Sequence, residues 1–419
     1  MTMRSAPEIE ARASDLGPVA LIPRINMQAF CERQQTMEAI QSAFADRRMA
    51  RAHGSVVTGG IPAAIRLYHT QSSPNLLLIE ADTTRDKLLA QLAALAEVCQ
   101  PDTKVVVIGH LNDVILYREL IQQGISEYVV APVSPLQIIE TVASLYRQEK
   151  AASIGKVIAF LGAKGGAGSS TIAHNCAWEL ARVTDLETTI LDLDIAYGTA
   201  ALDFNLDSSG GILEAITQPE RVDSLLLDRL LVRLGGKLSL LAGPGGVDRD
   251  FTIEPHAVEA ILTAMRMSIP ATIIDVPNIW APWVRFTLLH ADQVVLTAEP
   301  ELASLRNARA LVDLLRTARP NDPPPMVVLN KIGVPKRPEI PAPEFRKAIG
   351  SDLTDVVPFD PQSFGTALNN GKMLLEVAPR TKAADVLRKL AAGFAGERTV
   401  KPPPASKSLL KKFMVLGKK

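Results

Sequence analysis

The chain has 419 residues, enough for two domains, and its 45 Lys+Arg against 45 Asp+Glu give a formal net charge of zero. No global field draws it to nucleic acid, so a basic partner site has to be local. Three scattered cysteines, Cys31, Cys99 and Cys176, show no C-x-x-C or zinc spacing, which excludes a disulfide framework and fits a reducing cytosol; no apolar run approaches the ~18 residues that span a bilayer.

Residues 1–16 are polar, lack a signal-peptide core and read as a disordered N-terminus. Residues 17–149 alternate strand and helix. Apolar residues 18–22 open the series, and residues 29–47 read as a helix. Strands follow at 55–58, 76–79, 104–108 and 128–130, each trailed by a helix at 61–68, 85–98, 113–123 and 135–147. Five such units predict an α/β fold, a doubly wound parallel sheet.

That order resembles a response-regulator receiver domain, with the receiver chemistry missing. The phosphoacceptor aspartate should end the third strand, where NLLLIEAD has Glu80, with Asp82 two residues on. The acidic pair expected after the first strand reads Pro23-Arg24. Gly109 replaces the hydroxyl residue of the fourth strand, and Ala131 replaces the lysine before Pro132. Without the acidic pair there is no obvious Mg²⁺ site. Glu80 reads as a solvated strand-end glutamate, with imitation of a permanent phosphoryl charge as the rival, and the domain as a pseudo-receiver used for docking.

A short polar linker, residues 148–155, leads to a second α/β domain over residues 150–395. KVIAFLGAKGGAGSSTIAHNC, residues 156–176, gives a buried strand at 157–161, a glycine-rich turn at 163–168 and a helix from Ser169. Glycines let backbone N–H groups converge on an anion, and the helix N-terminus adds partial positive charge. Against the pattern G-x-x-x-x-G-K-[ST], Gly168 fits the second glycine and Ser170 the Mg²⁺-binding hydroxyl. Ala163 replaces the first glycine, and Ser169 stands where the phosphate lysine belongs. Lys164 comes early in the loop, before Gly165, Gly166 and Ala167. A strand at 188–193 ends in Asp192-Leu193-Asp194, and alternation puts both carboxylates on one face. Residues 271–275 form a strand ending in Asp275, a fit for a Walker B acid. Further strands lie at 292–297 and 326–329, the latter followed by Asn330-Lys331. Residues 356–360, VVPFD, open a loop.

The early lysine marks the deviant Walker A loop, K-G-G-x-G-K-[ST], of ParA/MinD-type ATPases. With the receiver-like half, KGGAGSST, LDLDIAYGTAALDFN and VVPFDPQSFGTALNNGKMLLEV, the chain resembles the CpaE/TadZ family of Flp (tight adherence) pilus assembly proteins over about residues 17–395. The resemblance implies a P-loop fold that binds ATP with Mg²⁺. ATP would lie on residues Lys164 to Thr171, with Asn330 at the adenine edge, a role in which a plain turn asparagine is its rival, and Pro358 near the base. Asp194 would orient the attacking water, and Mg²⁺ would be held by Ser170, with Asp192 and Asp275 partly through water. Lys164 would cross a homodimer to the partner's phosphates. The family implies a cytoplasmic protein, peripheral at the inner membrane or a cell pole, that meets other pilus-assembly proteins through its receiver-like domain. Ser169 implies slow turnover or none, which leaves a non-hydrolysing scaffold as the alternative.

Other chemistries find no support. The second domain has only Cys176, short of the cysteine pair that an iron–sulfur reductase needs. H-E-x-x-H and G-x-S-x-G are absent, and the six histidines read as isolated structural residues. No basic strip interleaved with aromatics predicts specific nucleic-acid binding. Residues 396–419 form a proline-containing tether and a basic end. At 100° per residue, Leu409, Leu410, Phe413, Met414 and Leu416 fall on one face and Lys411, Lys412, Lys418 and Lys419 on the other. Residues 408–419 therefore predict an amphipathic helix for an anionic membrane surface or a partner groove, with a solvated basic tail as the alternative.

Overall fold

The computed structural model describes residues 22–146, 155–184, 186–206, 211–246 and 251–395. The expected N-terminal disorder, most of the linker and the amphipathic tail lie outside them. The chain divides between Ile154 and Gly155 into two compact units, with the short segment Thr317–Asp322 grouped with the first.

The first unit is a five-stranded parallel sheet in the order β2-β1-β3-β4-β5. Its strands are β1 (Asn26–Cys31), β2 (His53–Thr58), β3 (Leu76–Ala81), β4 (Lys104–Gly109) and β5 (Glu127–Val130). The helices are α1 (Gln34–Phe44), α2 (Ile61–Tyr68), α3 (Arg85–Ala96), α4 (Val114–Gln122) and α5 (Pro135–Leu145). Strand β3 is central and buried at all six positions. Its alternation divides the core. Leu76 and Leu78 pack with Ile40 of α1 and with Ile138 and Val142 of α5. Leu77 and Ile79 pack with Ile61, Leu88, Leu92 and Leu116 of α2 to α4. Helices on both faces are what a near-continuous apolar parallel strand requires.

One element departs from expectation. Residues 29–31 belong to β1, so the helix predicted over 29–47 begins only at Gln34. Nothing in the sequence marks that boundary: Arg33 caps α1 without a side-chain hydrogen bond, and no glycine or proline interrupts the run. The positions after the first strand are therefore Glu32-Arg33, not Pro23-Arg24, and one acidic residue does stand there.

The second unit is an eight-stranded sheet, β13-β12-β11-β6-β10-β7-β9-β8, parallel except for β8 at its edge. The strands are β6 (Lys156–Gly162), β7 (Thr188–Asp192), β8 (Val232–Gly235), β9 (Leu238–Leu241), β10 (Ala271–Val276), β11 (Gln293–Ala298), β12 (Met326–Ile332) and β13 (Leu353–Pro358). The helices are α6 (Ser169–Thr184), α7 (Ala200–Asp203), α8 (Gly211–Thr217), α9 (Ser224–Leu230), α10 (Pro255–Ser268), α11 (Pro282–His290), α12 (Leu302–Ala318), α13 (Ala342–Ile349), α14 (Pro361–Asn369), α15 (Leu374–Val377) and α16 (Lys382–Ala395). On β6, Ile158 and Phe160 face α6 and α16, while Val157, Ala159 and Leu161 face α10 to α13. This places the carboxyl ends of β6, β7, β10 and β12 together, the end of an open α/β sheet where ligands bind. The hairpin β8–β9 was not anticipated. Residues 356 and 357 lie in β13, so the expected loop starts only at Phe359.

Candidate functional site

Strand β6 runs into the glycine turn, and α6 starts at Ser169. Gly166 and Gly168 have φ of 81° and 89°, where a side chain would be strained. A Cβ on Gly168 would also meet Asn330 Nδ2 at 2.5 Å. Carbonyls of the loop and of the strand before it accept from side chains. Asn278 Nδ2 donates to Gly162 O at 2.6 Å, Asn307 Nδ2 to Ala163 O at 2.8 Å and Asn330 Nδ2 to Ala167 O at 2.8 Å. Lys331 Nζ donates to Gly166 O. With these carbonyls held by donors, and Ala163 N and Ala167 N donating to Thr297 O and Lys164 O, the turn has a fixed shape at the start of α6, where an anion can be held.

The cavity measures about 560 Å³. Its wall includes Lys164 to Thr171 without a break, Asp194, Asn278, Asn330, Lys331 and the segment Pro358–Pro361. Such a volume suits a small ligand or cofactor. Ser169 is only 8% exposed, and its Oγ has no hydrogen-bond partner. Lys164 lies on the rim with Nζ 2.6 Å from Glu301 Oε1, a hydrogen bond that raises the ammonium's pKa.

The predicted acids separate. Strand β7 ends at Asp192, so strand alternation does not carry on to Asp194. Asp194 forms a turn, accepting from Tyr197 N at 3.1 Å, and lines the cavity; burial raises its pKa. Asp192 and Asp275 are buried behind the wall. Beside them sits His174, which the sequence reading took as isolated. It is fully buried, with Nδ1 2.7 Å from Asp203 Oδ2 and Nε2 3.4 Å from Asp275 Oδ2. Burial alone would lower its pKa, but the two carboxylates push it up to about 10. Burial, with Asp275 adjacent, pushes the Asp192 carboxyl up. Among the described residues, His174, Asp192 and Asp275 are the one grouping with metal-ligand geometry, their ligand atoms within 4.8 Å of one another. Asn278 and Asn307 were missed by sequence reasoning. Asn278 follows Asp275 by three residues, a spacing that could have drawn notice; nothing in a single sequence singles out Asn307.

In the first unit Glu80 corrects the reading of a solvated acid. It is 0% exposed. Its Oε2 accepts from Glu32 N and Arg33 N, both at 2.8 Å, and its Oε1 from Thr36 Oγ1 at 2.6 Å, with His110 Nε2 at 3.1 Å. Asp82 is tied to Arg33 and, through its backbone N–H, to Glu32. Tyr128 lies over Gly109, where a Cβ would sit 2.1 Å from the phenol oxygen. A hydroxyl residue at this place on β4 would require Tyr128 to move.

Comparison with known proteins places both units. The crystal structure of a pilus assembly protein CpaE from Caulobacter crescentus is 47% identical to the N-terminal part, covering 31% of this chain and 98% of that one, with a TM-score of 0.30. The chain belongs to the CpaE family. The second unit of this CpaE-family protein has the P-loop fold of ParA/MinD proteins. A ParA family ATPase from Chlorobium tepidum is 25% identical, with a TM-score of 0.51, covering 57% of this chain and 99% of that one. An uncharacterised ATP-binding protein of Methanocaldococcus jannaschii is 24% identical over 58% of this chain and 88% of its own length. No family model matches the chain. Among the described residues, no helix is long and apolar enough to cross a membrane.

Proposed function

We propose that this CpaE-family protein is an ATP-binding, nucleotide-dependent dimeric factor that localises or starts Flp (tight adherence) pilus assembly at the inner membrane or a cell pole, with slow or no hydrolysis. The observation that carries the reading is the loop whose carbonyls are tied back around a cavity of about 560 Å³, with Ser169 Oγ buried and unpartnered. A triphosphate would suit this place: the Ser169 hydroxyl has no partner, and a glycine turn at a helix N-terminus favours an anion. Ser170 would hold Mg²⁺, with Asp192 and Asp275 acting partly through water, and the bound ion would neutralise phosphate charge. Asp194 would orient water, Asn330 and Pro358 would flank the base, and Lys164 would reach the partner's nucleotide after leaving Glu301. Replacing the loop lysine by Ser169 removes a charge-assisted contact of about 1.5–3 kcal/mol, which weakens binding and slows turnover. The receiver-like unit would dock other pilus-assembly proteins. Its α4 exposes Val114 and Ile115 at 63% and 67%, an apolar start for such a surface. The rival reading, a scaffold without nucleotide, is favoured by Ser169 itself. Measuring bound nucleotide in the purified protein, and its dimer fraction by light scattering with and without MgATP, separates the two. A dimer fraction indifferent to MgATP, with no nucleotide bound, leaves the scaffold.

A further inference from the structure

We propose that Lys331 is the phosphate-binding lysine that the loop itself lacks, delivered to a nucleoside triphosphate from the end of β12. The inference rests on the nucleotide reading above. The residues lining the cavity include two cations, Lys164 and Lys331. Lys164 is turned to Glu301 on the rim. Lys331 is the cation left for the chain's own phosphates.

The backbone is bent to bring it there. In a regular strand, Asn330 and Lys331 would point to opposite faces. Here both reach the same loop, Asn330 to Ala167 O and Lys331 to Gly166 O. Two irregularities make this happen. The register of β12 on β13 shifts between Leu329 and Ile332, and Lys331 has φ 56°, in the left-handed region. Bulges of this kind re-aim side chains beside functional sites, and a left-handed non-glycine backbone is strained. The lysine stem passes over the last glycine before Ser169: a Cβ on Gly168 would lie 4.0 Å from Lys331 Cε. The buried, unpartnered Ser169 Oγ marks the place that the missing side chain would fill.

The ammonium is held ready without being locked. Its partners are the Gly166 carbonyl and Glu299 Oε1, the latter at 3.0 Å. Glu299 is also paired with Arg337 at 2.8 Å through Oε2. The ammonium has three N–H donors, so Lys331 Nζ can take a phosphate oxygen while it keeps Gly166 O, and Glu299, if released, still has Arg337, so no buried carboxylate is stranded.

The test is a double-mutant cycle on the full chain, titrating MgATP and, separately, adenosine into wild type, Lys331→Ala, Ser169→Lys and the double variant. Lys331→Ala should weaken MgATP binding roughly tenfold to a hundredfold in the wild-type background and less than about threefold beside Ser169→Lys, with adenosine unchanged in both. Lys331→Arg should recover part of the loss. Equal losses in both backgrounds, or an equal loss for adenosine, would overturn the surrogate role and make Lys331 a base contact or a loop prop. Binding restored only by Ser169→Lys would also overturn it, leaving the nucleotide cavity standing. If no variant binds MgATP, the nucleotide reading falls first and this inference with it.

Discussion

Glu80→Ala should destabilise the first unit by about 3–5 kcal/mol. The carboxylate is fully buried and takes the backbone N–H groups of Glu32 and Arg33, the Thr36 hydroxyl and His110. Truncation leaves buried N–H groups without acceptors at about 1–3 kcal/mol each, and the hydroxyl loses its partner as well. Glu80→Gln keeps an oxygen for the two N–H groups but loses the charge and puts an NH₂ donor where Oε1 accepts from Thr36 and faces His110, so it should cost less than Glu80→Ala, about 1–2 kcal/mol. Burial raises the Glu80 pKa, but the hydrogen bonds from Thr36, Arg33, Glu32 and His110 lower it more, to a value below the ordinary 4.5. A carboxyl whose folded pKa lies below its unfolded one adds stability above the unfolded value and loses it as pH falls through the folded one. Wild type should therefore lose stability in this unit below about pH 4.5, and Glu80→Gln should show a flatter profile there. With two units, global unfolding need not be two-state, so the assay is amide exchange by mass spectrometry on peptides covering Asn26–Cys31 and Leu76–Ala81 of the full chain. Protection in Glu80→Ala within about 0.5 kcal/mol of wild type would refute the buried-anchor argument.

Three further outcomes are expected. Glu301→Gln releases Lys164 and should raise the MgATP-dependent dimer fraction, while Lys164→Ala should lower it; light scattering reads both, and a fraction blind to both variants removes Lys164 from the dimer. Acetyl phosphate with Mg²⁺ should leave the mass of the protein unchanged, and a stable phosphoryl group on Asp82 would restore receiver chemistry to the first unit. Deleting residues 408–419 should abolish weak, salt-sensitive sedimentation with anionic liposomes, since each lysine adds about 1 kcal/mol at such a surface; equal sedimentation of full-length and truncated dimers would point to a protein groove.

The doubly wound architecture was legible because parallel strands buried on both faces leave short apolar runs, as in residues 76–79 and 105–108. What escaped was local. The first strand merged with its helix because Arg33 offers no capping side chain and Ala29, Phe30 and Cys31 suit either element. The hairpin β8–β9 does carry a signal, Gly235-Gly236 between Val232–Gly235 and Leu238–Leu241, with φ of 109° and 55° at the two glycines. At the site, the contiguous run from Lys164 to Thr171 could be located from spacing alone. The clamps could not, because Asn278, Asn307 and Asn330 come from three distant stretches that only the sheet order brings together. Glu80 and His174 were misjudged for one reason: their partners lie on neighbouring strands and helices, and a linear sequence does not show burial.

The asparagine clamps separate two properties usually lost together. The shape of the glycine loop is imposed from outside, by amides on the β10 side, on α12 and on β12. Its charge comes from side chains within the loop or near it. A lineage can therefore discard the loop cation and keep the cradle intact, because no backbone hydrogen bond depends on that side chain. Substituting Ser169 would then be expected to change anion binding more than loop shape, since none of the three amide clamps bonds to its side chain. The clamps would have no such freedom: trimming one amide would free a carbonyl to swing inward, where it would repel any anion bound at the loop.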